Sequence, residues 1–161
     1  PKKLEQANTQ QKVTHNKIKK TPMRMVISLL LQNPELVKRM SESGVQALRA
    51  EAGFEILEKL TALCRQREGI TTGQILEYFR NTSYSNPLEI LATWDHLLDE
   101  SDIINAFSQN YRRLTAQAIA RDLATLIAKD RTEGLTNEEK TVLVHLLAGK
   151  EQQKKQLVNP L

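Results

Sequence analysis

The amino-acid sequence predicts an all-α protein, and three observations carry that prediction. Leu, Ala, Glu, Lys, Gln and Arg abound, whereas aromatic residues make up 4% of the chain and glycine occurs six times in 161 residues; such a composition favours helix over strand. Apolar residues recur three and four apart over long stretches, the spacing that lines one face of a helix. No alternating or valine-rich run marks a strand. The expected architecture is five or six short helices, then a long helix that leads into a two-armed helical hairpin.

Pro1 to Lys17 is polar, with only Leu4, Ala7 and Val13 scattered through it, too little apolar surface to offset the entropy of ordering. Residues 1–18 are therefore expected to form a flexible basic linker. Thr21 as cap and Pro22 at the first helical position open a helix carrying Met23, Val26, Ile27 and Leu30, widened by Met25 and Leu29, so that it is mostly buried. Asn33-Pro34-Glu35 repeats the logic of cap, proline and acid, predicting a short helix to about Met40. Ser41 to Gly53 is weaker, with a turn or two around Val45, Ala47, Leu48 and Ala50. Phe54, Leu57, Leu60, Ala62, Leu63 and Cys64 form the next stripe, ended by Gly69.

Thr71 with Gln74 three residues on is a capping box, opening a helix with Ile75, Leu76, Tyr78 and Phe79. After a polar loop at Asn81 to Ser85, Asn86-Pro87-Leu88-Glu89 predicts one more helix, running through Leu91, Trp94, Leu97 and Leu98. Asp99 to Asp102 then separates it from the long helix.

That long helix has two apolar faces. Ile104, Phe107, Tyr111, Leu114 and Ala118 form one stripe, and Ala116, Ile119, Ala120, Leu123, Leu126 and Ile127 form another, displaced by roughly 150° at the helical 100° per residue. The first stripe closes the core of a body spanning residues 19–113, and the second faces a partner helix within 114–161. Lys129 and Arg131 suit the negative end of the helix dipole, and Gly134 suits a left-handed stop. Thr136 and Glu139 then form a second capping box, opening a helix with Val142, Leu143, Leu146 and Leu147 on one face. The short connection predicts an antiparallel hairpin, with Leu123, Leu126 and Ile127 against Leu143, Leu146 and Leu147.

Composition also bounds the chemistry. The single Cys64 excludes an internal disulfide framework and a cysteine zinc site, and favours a cytosolic compartment. The longest apolar run, Met25 to Leu31, is too short to span a bilayer. The chain opens on Pro1 followed by lysines, unlike a signal peptide, and is expected to be a fragment of a longer protein. Its net charge of +4 is concentrated at Lys2, Lys3, Lys12, Lys17, Lys19 and Lys20.

Catalytic groups do not converge. Asp95 and His96 are adjacent and, on a helix, would point about 100° apart, which reads as a core Trp94 beside a solvated acid and imidazole. His15, His96 and His145 are too scattered for a metal site, and Glu138 and Glu139 are explained as dipole partners and caps. What remains is a surface. Lys19, Lys20 and Arg24 flank Met23 and Ile27 at a helix start, an arrangement suited to an acidic peptide with an apolar anchor; surface lysines over a buried methionine would look the same. A basic domain that binds nucleic acid directly is the alternative, against which Lys and Glu mix freely after Lys20.

Several blocks carry a resemblance when taken in order: Lys20-Thr21-Pro22-Met23-Arg24 with the apolar run to Leu31, Gln32-Asn33-Pro34-Glu35-Leu36, Gly69 through Arg80, Trp94-Asp95, and Ala128 through Glu139. Together, from Lys19 to about Gln152, they resemble the C-terminal, helicase-binding domain of bacterial DNA primase. The resemblance implies a six-helix body, itself similar to the N-terminal domain of the replicative helicase, followed by a hairpin that docks on that helicase and brings primase to the replication fork. It further implies that the first helix binds the acidic C-terminal tail of single-stranded-DNA-binding protein through Lys19, Met23, Arg24 and Ile27.

Pro22 stands where the related pattern often has a second Thr. The last helix departs further, at Thr141, Val142, Val144 and Ala148, so its helicase contacts are assigned only as the segment Val142, Leu143, Val144, His145, Leu146, Leu147 and Ala148. Primer synthesis, with its zinc and magnesium, belongs to other parts of such a primase. This chain is expected to be non-catalytic and to need no cofactor.

Overall fold

The computed structural model describes residues 19–158, with side chains described from 19 to 151; the expected linker at 1–18 lies outside the described residues. Every regular element among them is helical: α1 (Pro22–Gln32), a 3₁₀ helix (Pro34–Arg39), α2 (Glu42–Gln46), α3 (Phe54–Gln66), α4 (Thr72–Tyr78), α5 (Ser85–Ala92), α6 (Glu100–Thr132) and α7 (Asn137–Val158).

The body is built around α1. Thr21 Oγ1 accepts the Arg24 N–H at 3.3 Å, and Pro22 occupies the first turn, so the helix starts where the local signals place it. Val26 through Leu31 are all buried, because α3, α4, α5, α6 and the 3₁₀ helix pack around this one rod. A helix enclosed on all sides can be apolar on all sides. The Thr71–Gln74 capping box forms with both of its reciprocal bonds, at 3.3 and 3.0 Å.

Asn33 plays a different part from the one its position suggests. It makes no side-chain cap for the 3₁₀ helix; its amide donates to the Leu29 carbonyl at 3.2 Å and so closes α1 instead. The largest difference lies in α5. It begins at Ser85, ahead of Asn86, and ends at Ala92 rather than at Leu98. Side chains of α1 bind the end of the helix and the segment beyond it: Ser28 Oγ donates to Leu91 O at 2.7 Å, and Gln32 Nε2 donates to Ala92 O at 3.2 Å and to Trp94 O at 2.8 Å.

Past that point Asp95 Oδ1 accepts the Leu97 N–H at 2.9 Å, and Leu97 turns outward with φ +50° and 89% exposure. The expected core position of Leu97 on a helix is thereby corrected. So is that of His96, read above as solvated: it is half-buried, with Nε2 2.8 Å from Ser28 Oγ. The only serine proton is engaged by Leu91 O, so the imidazole donates from Nε2. Burial holds the His96 pKa below its ordinary value, helped by Lys20 and partly opposed by Asp95.

The first stripe of α6 closes this core as expected. Phe107, Leu114 and Ala118 are buried within it, and Ile104 and Tyr111 pack against it. The cluster thus extends past 113 to Ala118.

Candidate functional site

Beyond Ala118, α6 leaves the core and packs against α7. The chain reverses at Gly134, whose φ of +75° is the left-handed conformation a side chain disfavours. Thr136 and Glu139 form the predicted capping box: Glu139 N–H donates to Thr136 Oγ1 at 3.2 Å, and Thr136 N–H donates to Glu139 Oε2 at 2.9 Å. The other carboxylate oxygen of Glu139 accepts from Lys129 Nζ. One side chain thus caps α7 and ties it to the last turn of α6. Each residue was legible as a dipole partner, but their pairing across the turn was not.

Those bonds set a pH dependence. The Glu139 carboxyl lies below its ordinary pKa, first because Lys129 donates to it and then because the Thr136 N–H does. A carboxyl depressed in the folded state contributes stability above its unfolded pKa of about 4.3, and that stability is lost as pH falls below it. Helix content of the hairpin is expected to drop between about pH 5 and 3. Glu139→Gln should remove that step, as checked by circular dichroism across the same range.

The inner face of the hairpin is narrower than the sequence suggests. Leu123 is buried and Ile119, Leu126, Leu143 and Leu146 are half-buried, while a Cβ at Gly149 would lie 3.8 Å from Ile119 Cδ1. Ala116 and Ala120 are exposed. Ile127 and Leu147, expected to pair inside, are 43% and 47% exposed, and Val142 and Val144 are also exposed. A second helix covers only one side of an arm, so these side chains are left on the outside. Of the segment assigned to the helicase, Val142, Val144, His145, Leu147 and Ala148 face solvent, and Leu143 and Leu146 are turned inward.

The start of α1 holds the other predicted group. Lys19 and Arg24 are exposed, and Arg24 Nη1 donates to the Lys19 carbonyl at 2.8 Å. No acidic residue lies in the first turn of α1, so the positive end of its dipole meets cations rather than anions. Lys20 Nζ sits 5.9 Å from the centre of the Trp94 ring. Met23 and Ile27, by contrast, are 5% and 1% exposed. The structure brings the four residues together but closes the apolar floor.

Sequence reasoning missed one contact that touches both regions. Arg121 of α6 donates to Glu51, in the turn ahead of α3. Seventy positions apart, the two carried no local signal of pairing. No three His, Cys, Asp or Glu side chains gather where a metal ion could sit among the described residues, and no helix there is long and apolar enough to cross a membrane.

Comparison with known proteins gives the family of the chain. Residues 23–146 match the family model described as DNA primase DnaG DnaB-binding. The chain is 95% identical over 161 residues to DNA primase of Haemophilus influenzae, covering all of this chain and 27% of that protein. It is 49% identical over 135 residues to DNA primase of Pasteurella multocida, covering 84% of this chain and 23% of that protein. The chain thus spans about a quarter of the length of the curated relatives it matches. The solved C-terminal domain of DnaG primase from Vibrio cholerae superposes with a TM-score of 0.71 at 34% identity, covering 79% of this chain and 96% of that one. With most of its length matched by the family model, the chain belongs to the DNA primase DnaG DnaB-binding family.

Proposed function

We propose that this chain is the non-catalytic helicase-docking part of a bacterial DNA primase, acting in the cytoplasm to hold primase at the replicative helicase, DnaB, and so to bring it to the fork for RNA primer synthesis. The observation that carries the reading is that Val144 and Leu147, about 60° apart around α7 at 100° per residue, are left exposed on a hairpin whose inner face is taken up by Leu123, Leu143 and Leu146. Large apolar side chains left exposed together mark a protein-interaction surface. Specific stable interfaces bury about 1,600 Å² in total, an area suited to a helical hairpin.

The test is Val144→Asp combined with Leu147→Asp. Charges at the centre of an interface cost about 2 kcal/mol or more each, so the two together should lower affinity for purified helicase by about 1,000-fold. Both positions face solvent in the free chain, and the helix content should not change. Undiminished helicase binding would place the docking surface elsewhere.

The exposed cations at the positive end of α1 support a second contact, with the acidic C-terminal tail of single-stranded-DNA-binding protein. Lys19 and Arg24 supply charge, and Met23 and Ile27 an apolar floor. Binding of an acidic peptide ending in a bulky apolar residue is expected to weaken as salt rises, since exposed charges are screened over about 8 Å at physiological ionic strength. Arg24→Glu should weaken it by about tenfold or more, through loss of one charge-assisted contact and gain of a repulsive one. If a single-stranded oligonucleotide binds the same chain and loses affinity in the same mutant, direct nucleic-acid binding replaces this reading.

A further inference from the structure

Met23 and Ile27 are shut off from solvent in part by the turn that follows α2. A Cβ built on Gly53 would fall 3.0 Å from Met23 Cγ and 3.8 Å from Ile27 Cδ1, and Gly53 has φ +92°. The turn has few bonds of its own: Arg49 N–H to Gln46 O at 3.2 Å, Glu51 N–H to Leu48 O at 2.8 Å and Phe54 N–H to Glu51 O at 3.2 Å. Leu48 is buried, whereas Arg49, Ala50, Ala52 and Gly53 are exposed. Midway along it, the Glu51 carboxylate accepts from Arg121 Nη1 on α6, while Arg121 Nη2 donates to Asp122 at 3.3 Å. The same short turn therefore touches α1 through Gly53 and the long helix through Glu51.

We propose that residues 49–53 form a hinged cover over the apolar floor of the α1 site, latched by the Arg121–Glu51 ion pair, so that capture of an acidic peptide is coupled to the position of α6. The proposal rests on the acidic-peptide reading given above. An incoming bulky side chain reaches Met23 and Ile27 only if Gly53 withdraws, and withdrawal of the turn carries Glu51 away from Arg121. Closed and open covers then form one equilibrium, biased by the peptide on one side and by α6 on the other. The side chains of Arg121 and Glu51 are 37% and 24% exposed; solvent screens such a pair, and the latch shifts populations only several-fold. It is a bias rather than a lock.

Arg121→Gln separates a latch from plain electrostatics, because the two predict opposite signs. A synthetic peptide of four aspartates followed by phenylalanine is titrated into the full chain and into the variant. Losing a cation would weaken capture of an anionic peptide if charge alone governed it. Releasing the cover should instead tighten capture by about two- to fivefold. Exchanging the partners, Arg121→Glu with Glu51→Arg, rebuilds the pair and should return the affinity toward that of the parent.

Amide hydrogen exchange on the same proteins reports the cover without the peptide. The Glu51 and Phe54 amides should exchange faster in Arg121→Gln and slow again in the swapped protein. Unaltered exchange overturns the latch, and faster exchange with unchanged or weaker affinity overturns the coupling. If the parent captures no peptide, or does so independently of Arg24, the acidic-peptide reading has failed, and the exchange rates alone then decide whether the cover is latched.

Discussion

A chain ending at Asp122 is expected to keep a folded body and lose the helicase, whereas a chain ending at Arg113 is expected to lose the body as well. Leu114 and Ala118 belong to the core that surrounds α1, at 3% and 0% exposure. Removing a buried leucine side chain by substitution alone costs about 2–5 kcal/mol, against a typical total stability of 5–15 kcal/mol. A cut after Arg113 removes both side chains together with Arg121, the partner of Glu51.

A cut after Asp122 retains all three and removes α7 with the arm it packs on. The shorter hairpin arms have little core of their own, and helices of this length are marginal in water without tertiary packing. Thermal unfolding and helicase binding, measured on both truncations, give the result. A cooperative transition for the chain ending at Arg113 would show that Leu114 and Ala118 are dispensable to the body. Helicase retained by the chain ending at Asp122 would move the docking surface onto the body.

Phe107→Ala is expected to destabilise the body by about 3–5 kcal/mol, the largest effect of any single substitution considered. Phe107 is fully buried and stacks on Tyr111, with ring centroids 6.1 Å apart and planes inclined by 14°. Truncation leaves a cavity in the layer where α6 meets the rest of the core, and the neighbours relax into it only in part. Leu97→Ala is the control. It also deletes a large apolar side chain, but from a position 89% exposed, and it should change stability by less than about 0.5 kcal/mol. Chemical denaturation of both variants measures the contrast. Equal effects would mean that Leu97 is buried in solution and that the segment after α5 is not held as described.

Most of the helix starts were legible because their chemistry is local. The hydroxyl of Thr21 reaches an amide three residues on, and Thr71 with Gln74 and Thr136 with Glu139 close their capping boxes over the same interval. The two faces of α6 were legible for a related reason, since a helix turns by a known angle per residue and its apolar stripes can be counted. At Asn33 the local pattern was right about a boundary and wrong about its purpose: the side chain closes the helix behind it.

The candidate sites were only half legible. Their residue types and rough location came from sequence, but not the finding that Met23 and Ile27 are buried with Gly53, 30 and 26 positions further on, packed close to them. Which hairpin side chains face outward depends on how α7 lies against α6. Sequence alone determined the helical class, the caps, the hairpin turn and the charges at the start of α1, all of them settled by groups within a few residues of one another. The tertiary structure decided where α5 stops, how His96 is held by Ser28, which residues of α7 remain exposed, and the pairing of Arg121 with Glu51. In those cases the deciding partner sits on another element, up to seventy residues along the chain, where no periodicity or capping rule reaches.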